Sequence, residues 1–347
     1  MRLSRSGIFA IVIFAVLSNA GCGYYNKVIM RKNLVDGSNA YKNRKFQEAE
    51  ELFRYAASKD PNGETLEGRT AQLSLARTLH SEYIGNRQNK AFAEEALEQY
   101  KKALPQALRD LKDNQGGLNS GDVDEQRRYL NALTSVNSTT SAIASLYENL
   151  EQPDKAREWQ IEVANNAEYP DTARARALSS LAARFNTCAN DITDTEQTKK
   201  TVKQEGKEVF QFTKPANPDD FAKLNDCVGQ GTKLIDQATA LEPDSVKNAA
   251  SLNVQSLTDA QLALYSEIFK VFESIRSYKA SLLIQAMRAA EMDGRTADRD
   301  RLKQEAEDAK ARFSELSEVV RKIQAEIDSR SAAKAEAEKG ANANAAK

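Results

Sequence analysis

The stretch LVDGSNAYKNRKFQEAEELFRYAASKDPN, residues 34–62, predicts two short helices joined by a turn. The first helix carries small residues at Gly37 and Ala40, followed by Tyr41. The second repeats apolar residues at steps of three and four, which places them on one helical face. Those residues are Phe46, Ala49, Phe53 and Ala56. Pro61 ends this helix, because proline cannot continue a helix and disfavours helical backbone in the residue before it.

This pattern closely resembles the tetratricopeptide repeat (TPR), from Gly37 through the terminal sequence DPN at 60–62. In that family, small residues let two antiparallel helices approach, and aromatic residues fill the space between them. The resemblance implies an all-α fold, an α-solenoid of about five degenerate TPR-like helical hairpins over residues 27–294. It also implies a concave groove that binds a protein or peptide. The predicted groove contacts are Asn39, Lys42, Asn43 and Arg77.

Weaker copies of the repeat follow along the chain. Their segments are 70–85 with 92–105, then 141–170, then 172–191 with 229–245, and finally 256–294. Ala49, Ala96 and Ala156 occupy matching positions but lie 47 and 60 residues apart. An uninterrupted array repeats every 34 residues or so. We therefore expect insertions between and within the repeats.

One insertion, at about residues 193–217, lies between Cys188 and Cys227. Its segment KKTVKQEGKEVFQF, with Glu205 and Gly206 at the tip, has strand character and predicts a small β-hairpin. The two cysteines fall at adjacent ends of an antiparallel helix pair, so a disulfide is geometrically reasonable. The hairpin fits either a docking element or a protected insertion.

The last repeat is followed by a long helix with the period of a coiled coil. Over residues 295–328, apolar residues recur at alternating steps of four and three. They are Leu302, Ala306, Ala309, Phe313, Leu316, Val320, Ile323 and Ile327. This helix either covers the last repeat or mediates self-association. Residues 329–347 are low in complexity and are predicted to be a disordered tail.

The first 21 residues have the pattern of an export signal. Arg2 and Arg5 precede an apolar run over residues 7–17. As a helix this run would rise by about 16 Å, which is too short to span a hydrocarbon core of about 30 Å. Residues 1–21 are therefore predicted to be a signal peptide.

Two cleavage chemistries fit the end of this signal. The small residues at 18–20 would allow release of a free protein after Ala20. Alternatively, Ala20, Gly21 and Cys22 resemble the bacterial lipobox, in which the cysteine receives diacylglycerol; Asn19 stands where that motif usually has leucine. Lipidation of Cys22 would leave the other two cysteines as a pair in an oxidising compartment.

The residues around Cys22 suit a membrane surface. Residues 22–26 would form the anchor and a short tether, and Gly23 in place of aspartate favours the outer over the inner membrane. Tyrosines with a polar tip are typical of the membrane–water boundary. Tyr24 and Tyr25 occupy this position, and the basic residues Lys27, Arg31 and Lys32 follow them.

The composition argues against nucleic-acid binding and against catalysis. The chain has 49 basic and 50 acidic residues, whereas nucleic-acid binding needs a basic excess. Its single histidine, His80, has no second metal ligand at helical spacing, and Cys188 and Cys227 are too far apart for a redox C-x-x-C site. The acidic pairs at 50–51 and 94–95 are interpreted as solvated helix faces. We predict no enzyme activity, no cofactor and no metal site.

The predicted function is a non-catalytic scaffold or adaptor lipoprotein in the bacterial cell envelope. It would bind an envelope protein or peptide in its groove and serve assembly or secretion. One alternative is a helical lipoprotein that binds oligosaccharide or another small ligand; it needs an aromatic platform, whereas the lone Trp159 is expected to pack between repeats. A second alternative is a self-assembling structural protein that forms homo-oligomers through the helix at 295–328.

Overall fold

The structure of the chain is a computed structural model that describes residues 25–204 and 206–345. Of the described residues 81% are helical, and this part of the chain has eleven α-helices and one antiparallel β-hairpin. The predicted all-α class with a small hairpin insertion is therefore confirmed. The predicted signal peptide, 1–21, and the predicted lipid-attachment residue, Cys22, lie outside the described residues.

Short turns separate most of the helices. The bounds are α1 25–42, α2 Phe46–Ser58, α3 Leu66–Gly85, α4 Lys90–Asp113, α5 Val123–Asn149, α6 Pro153–Asn165, α7 Asp171–Thr193, β1 Lys199–Gln204, β2 Lys207–Phe212, α8 Pro218–Ala240, α9 Asp244–Lys247, α10 Asp259–Met292 and α11 Thr296–Ala345. Single 3-10 turns lie at Gln115–Asn119, Ala249–Ser251 and Val254–Ser256.

The described chain forms two compact units. The first comprises the residues up to Lys112 together with Ser138–Ala156. The second comprises Asp113–Asn137 and the residues from Arg157 onward. Helices α5 and α6 each contribute residues to both units.

In the first unit, α1, α2 and α3 share a core. Met30, Ala56 and Ala71, one from each helix, are buried together. Gly37 of α1 faces the ring of Phe53, where a Cβ atom would lie 2.8 Å from Cε1. Because real Cβ atoms do not approach carbon so closely, glycine permits this contact. The small and aromatic residues of the opening stretch thus pack two helices together.

Helix α4 continues through Pro105 to Asp113, whereas the sequence predicts its end at the proline. Proline has no N–H, so one carbonyl of the preceding turn loses its helical partner. Buried side chains on both sides of the proline keep the segment helical, since their packing outweighs that local loss. These side chains are Ala103, Leu104, Ala107 and Leu111.

In the second unit, the predicted disulfide between Cys188 and Cys227 is present and joins α7 to α8, with a Cα–Cα distance of 6.2 Å. The predicted hairpin lies between these helices in the sequence, with Val202 opposite Val209. Its base is held by Phe212, which is buried and whose N–H donates to the Glu291 carboxylate at 3.1 Å.

Helix α10 packs against α7, α8 and α11, and begins with a capping box formed by Thr258 and Gln261. All eight positions of the predicted heptad seam in α11 are buried or half-buried. Leu316 and Ile323, at the centre of the seam, are fully buried. The coiled-coil period is therefore satisfied within the chain, by a helix that covers α10.

The predicted disordered tail differs from the structure, in which α11 is helical to Ala345. Arg330 donates to the carbonyl of Leu257 at 2.8 Å and to Asp259 at 3.0 Å. Lys334 also pairs with Asp259. These bonds tie the start of the predicted tail to the start of α10, and alanine has the highest helix propensity. Composition alone did not reveal these partners.

Candidate partner-binding surface in the first unit

The predicted groove residues lie at the surface of α1 and α3. Asn39 and Lys42 are in the last turn of α1, Asn43 follows it, and Arg77 is in the middle of α3; all four are exposed. The turn after α1 is tight, because Arg44 has a φ of 59° and the N–H of Lys45 donates to the carbonyl of Ala40 at 2.9 Å. This tight turn ends α1 and fixes the positions of its last residues.

Hydrogen bonds bring the end of α1 to α3. The hydroxyls of Tyr41 and Ser81 lie 2.9 Å apart, and Ser81 also donates to the carbonyl of Arg77 at 3.0 Å. The guanidinium of Arg77 donates to the hydroxyl of Ser138 in α5 at 3.1 Å. Tyr41, Ser81, Arg77 and Ser138 thus form a polar row across three helices. Arg77 is part of that row. Asn39, Lys42 and Asn43 are not part of it, but they lie within two residues of Tyr41, which is.

A second cluster on the first unit joins three carboxyl groups to one guanidinium. Arg54 of α2 pairs with Glu50 of its own helix at 2.6 Å and with Glu95 of α4 at 2.6 Å. Glu82 of α3 lies close enough to Glu50 for the two carboxyl groups to share a proton. In the sequence Glu50 and Glu95 belong to acidic pairs that we interpret as solvated, but the structure places them in one cluster. Only the Glu50–Arg54 spacing of four residues is visible in the sequence.

The electrostatics of this cluster favour a proton near neutral pH. Burial, followed by the neighbouring Glu50 carboxylate, raises the pKa of Glu82 to about 7. One oxygen of Glu82, Oε2, is buried without a hydrogen-bond partner. The opposing effect is that of Arg54, whose own pKa is raised by its hydrogen bond to Glu95. A protonated Glu82 can donate to Glu50, so this carboxyl group can hold one proton among three acidic side chains.

The two aromatic residues considered as functional markers pack inside their units. His80 is half-buried and meets the ring of Tyr100 edge-on, with centroids 6.1 Å apart. Burial lowers the pKa of His80, which favours the neutral imidazole. Trp159 meets Tyr169 edge-on at 6.2 Å. Both contacts account for these rings by packing.

The hairpin in the second unit presents a mixed surface. Phe210, on the same face as the buried Phe212, is 60% exposed, and the ammonium group of Lys199 lies 4.3 Å from its ring centre. Lys199 also pairs with Asp194 at 2.6 Å. The base of the hairpin is thus held by packing and by an ion pair, whereas most side chains of its outer half are exposed to solvent.

Within residues 25–204 and 206–345, no three His, Cys, Asp or Glu side chains are grouped so that they could hold a metal ion. None of the helices in the same part of the chain combines the length and the apolar composition needed to cross a membrane. The chain matches no protein-family model. No curated protein is significantly similar to it.

Proposed function

We propose that the chain is a non-catalytic, TPR-like scaffold or adaptor of the bacterial cell envelope that binds a protein or peptide on its first unit. The observation that carries this proposal is the arrangement of α1, α2 and α3. Arg31 pairs with Glu67 near the starts of α1 and α3, and Tyr41 meets Ser81 near their ends. Because residue numbers increase along both helices from the first contact to the second, α1 and α3 run parallel.

This arrangement supports a repeat array. The helix between them, α2, packs on α1 through Phe53 and Gly37 and on α3 through the shared core. In a TPR solenoid, the first helices of successive repeats are parallel neighbours, and their free faces line the binding surface. By this reasoning the exposed faces of α1 and α3, with Asn39, Lys42, Asn43 and Arg77, are the surface where a partner binds.

The partner-binding proposal is tested by crosslinking in living cells. A photoreactive amino acid is placed at Asn39, Lys42 or Arg77, and the matched control carries it at Tyr55, which is 48% exposed on α2. We expect one envelope protein to be captured from the first three positions and not from the control. Equal capture from all four positions, or capture of the chain alone, would contradict the proposal.

We further propose that Cys22 carries a lipid that anchors the chain at the periplasmic side of the outer membrane. The lipobox-like sequence and the pairing of the other two cysteines support this proposal. The intact mass of membrane-extracted protein should show an acylated N-terminal cysteine. Cys22→Ser should move the protein into the soluble periplasmic fraction. An unmodified terminus after Ala20 would establish the alternative, a free exported protein.

A further inference from the structure

The outer face of α1 carries three exposed apolar side chains. Tyr25, Val28 and Val35 are 66%, 50% and 60% exposed. Steps of three and seven residues place them on one face of a helix. The opposite face is occupied by Met30 and Gly37, which are buried. Exposed apolar residues are normally scattered, so a row along one helix indicates a surface that something covers.

The charges around this row favour an anionic surface. Lys27 and Arg31 both approach Glu67, at 3.9 and 2.7 Å, so one acidic residue faces two basic ones. Lys32 is exposed between Val28 and Val35. Asp36, at the edge of the row, is the only acidic residue in the described part of α1. The N-terminal half of α1 is therefore net positive.

The chain length before α1 limits where this row can lie. Two residues lie between Cys22 and Tyr25, and a fully extended chain covers at most about 11 Å over these three steps. A lipid on Cys22 would hold that residue at the boundary between headgroups and acyl chains. The interfacial region is about 5–8 Å thick on each side of the hydrocarbon core. An anchored chain would therefore have Tyr25 in or next to the headgroup layer.

From these observations we propose that α1 contacts a phospholipid bilayer from Tyr25 to Val35 and is tilted, so that Asn39 and Lys42, which continue the same face, project beyond the headgroups and stay free for the protein partner. Tyr25, Val28 and Val35 enter the headgroup region, and Lys32 lies among the phosphates. Tyrosine is typical of this depth, and a helix with one apolar row and basic neighbours binds at the interface. This inference rests on the proposed lipid attachment at Cys22.

The test uses full-length acylated protein in vesicles of phosphatidylethanolamine and phosphatidylglycerol. In a Trp159→Phe background, single tryptophans are introduced as Val28→Trp or Val35→Trp. The matched control is Tyr55→Trp, an exposed position on α2, which packs on the opposite face of α1. Vesicle flotation measures anchoring, and quenching by brominated acyl chains measures the depth of each tryptophan.

We expect all three variants to float with the vesicles, and quenching at positions 28 and 35 to be at least about twice that at position 55. Flotation with equal, weak quenching at all three positions would overturn the membrane-facing row while leaving the lipid anchor in place. Failure of acylated protein to float would overturn the anchor and the row together.

Discussion

The two helices of the pair α1–α2 in the first unit and those of the pair α7–α8 in the second unit are held together in different ways. A turn of three residues, Asn43 to Lys45, joins α1 to α2, and the close contact of Gly37 with Phe53 packs them. Helices α7 and α8 are separated by the whole hairpin insertion and are joined by the Cys188–Cys227 disulfide. Closing a longer loop costs more chain entropy. The disulfide offsets that cost in the pair α7–α8, whereas the pair α1–α2 has a short turn and needs no such bond.

The comparison predicts its largest effect for the loss of the disulfide. The cysteines are 39 residues apart, and in the chain-entropy model a bond over such a loop stabilises by about 4 kcal/mol. Cys188→Ala with Cys227→Ala should lower the free energy of unfolding of the second unit by about that amount. Urea denaturation followed by Trp159 fluorescence measures the loss, since Trp159 belongs to this unit. Reduction of the wild type is the control and should have the same effect; no change on reduction would contradict the prediction.

In the first pair, Phe53 is expected to contribute most of the packing. Phe53→Ala removes a buried ring that contacts Gly37 and should destabilise the first unit by about 3 kcal/mol. Hydrogen exchange of α1–α3 amides measures this change without interference from the second unit. Tyr55→Ala, an exposed position on the same helix, should change stability by less than about 0.5 kcal/mol. Equal effects of the two substitutions would show that the ring does not hold the pair.

Replacing glycine with alanine should have opposite effects on stability in the two pairs. Gly37→Ala places a Cβ atom 2.8 Å from the Phe53 ring, so overpacking should destabilise the first unit by about 1–2 kcal/mol. Gly229 lies inside α8 with nothing within 4 Å of an added Cβ atom. Gly229→Ala should therefore stabilise the second unit by up to about 1 kcal/mol, because alanine has the higher helix propensity. Stabilisation by Gly37→Ala would contradict the close-contact explanation.

The smallest effect is expected at Glu82 and depends on pH. Its pKa is about 7 in the folded chain, against an ordinary 4.5, so its stabilising effect is complete below pH 4.5 and is lost as the pH rises through 7. The full shift would correspond to about 3 kcal/mol, but solvent screening at this partly exposed cluster reduces the expected loss to about 1 kcal/mol.

Glu82→Gln should therefore match the wild type near pH 4.5 and exceed it by about 1 kcal/mol at pH 8. Hydrogen exchange of the first unit at the two pH values provides the measurement. Glu94→Gln, at an exposed position of α4, is the control and should leave the pH dependence unchanged. A Glu82→Gln variant that keeps the wild-type dependence would show that another group is responsible.

Much of the fold was predictable because its causes are local in the sequence. Helical periodicity, the stop at Pro61, the capping box at Thr258 and the hairpin tip at Gly206 all depend on neighbouring residues. The disulfide was predictable because Cys188 and Cys227 fall at adjacent ends of an antiparallel helix pair. The candidate surface was only partly predictable: the sequence proposed Arg77, but its bond to Ser138 spans 61 residues.

The sequence by itself thus determined that the chain is helical, where the first helix pair turns, and which cysteines pair. Only the tertiary structure decided which charges meet and which apolar faces stay open. It gathers Glu50, Glu82 and Glu95 around Arg54, keeps α4 helical through Pro105, and ties Arg330 to the start of α10. Each of these depends on residues that are distant in sequence, and periodicity within one segment holds no information about the partner that another segment supplies.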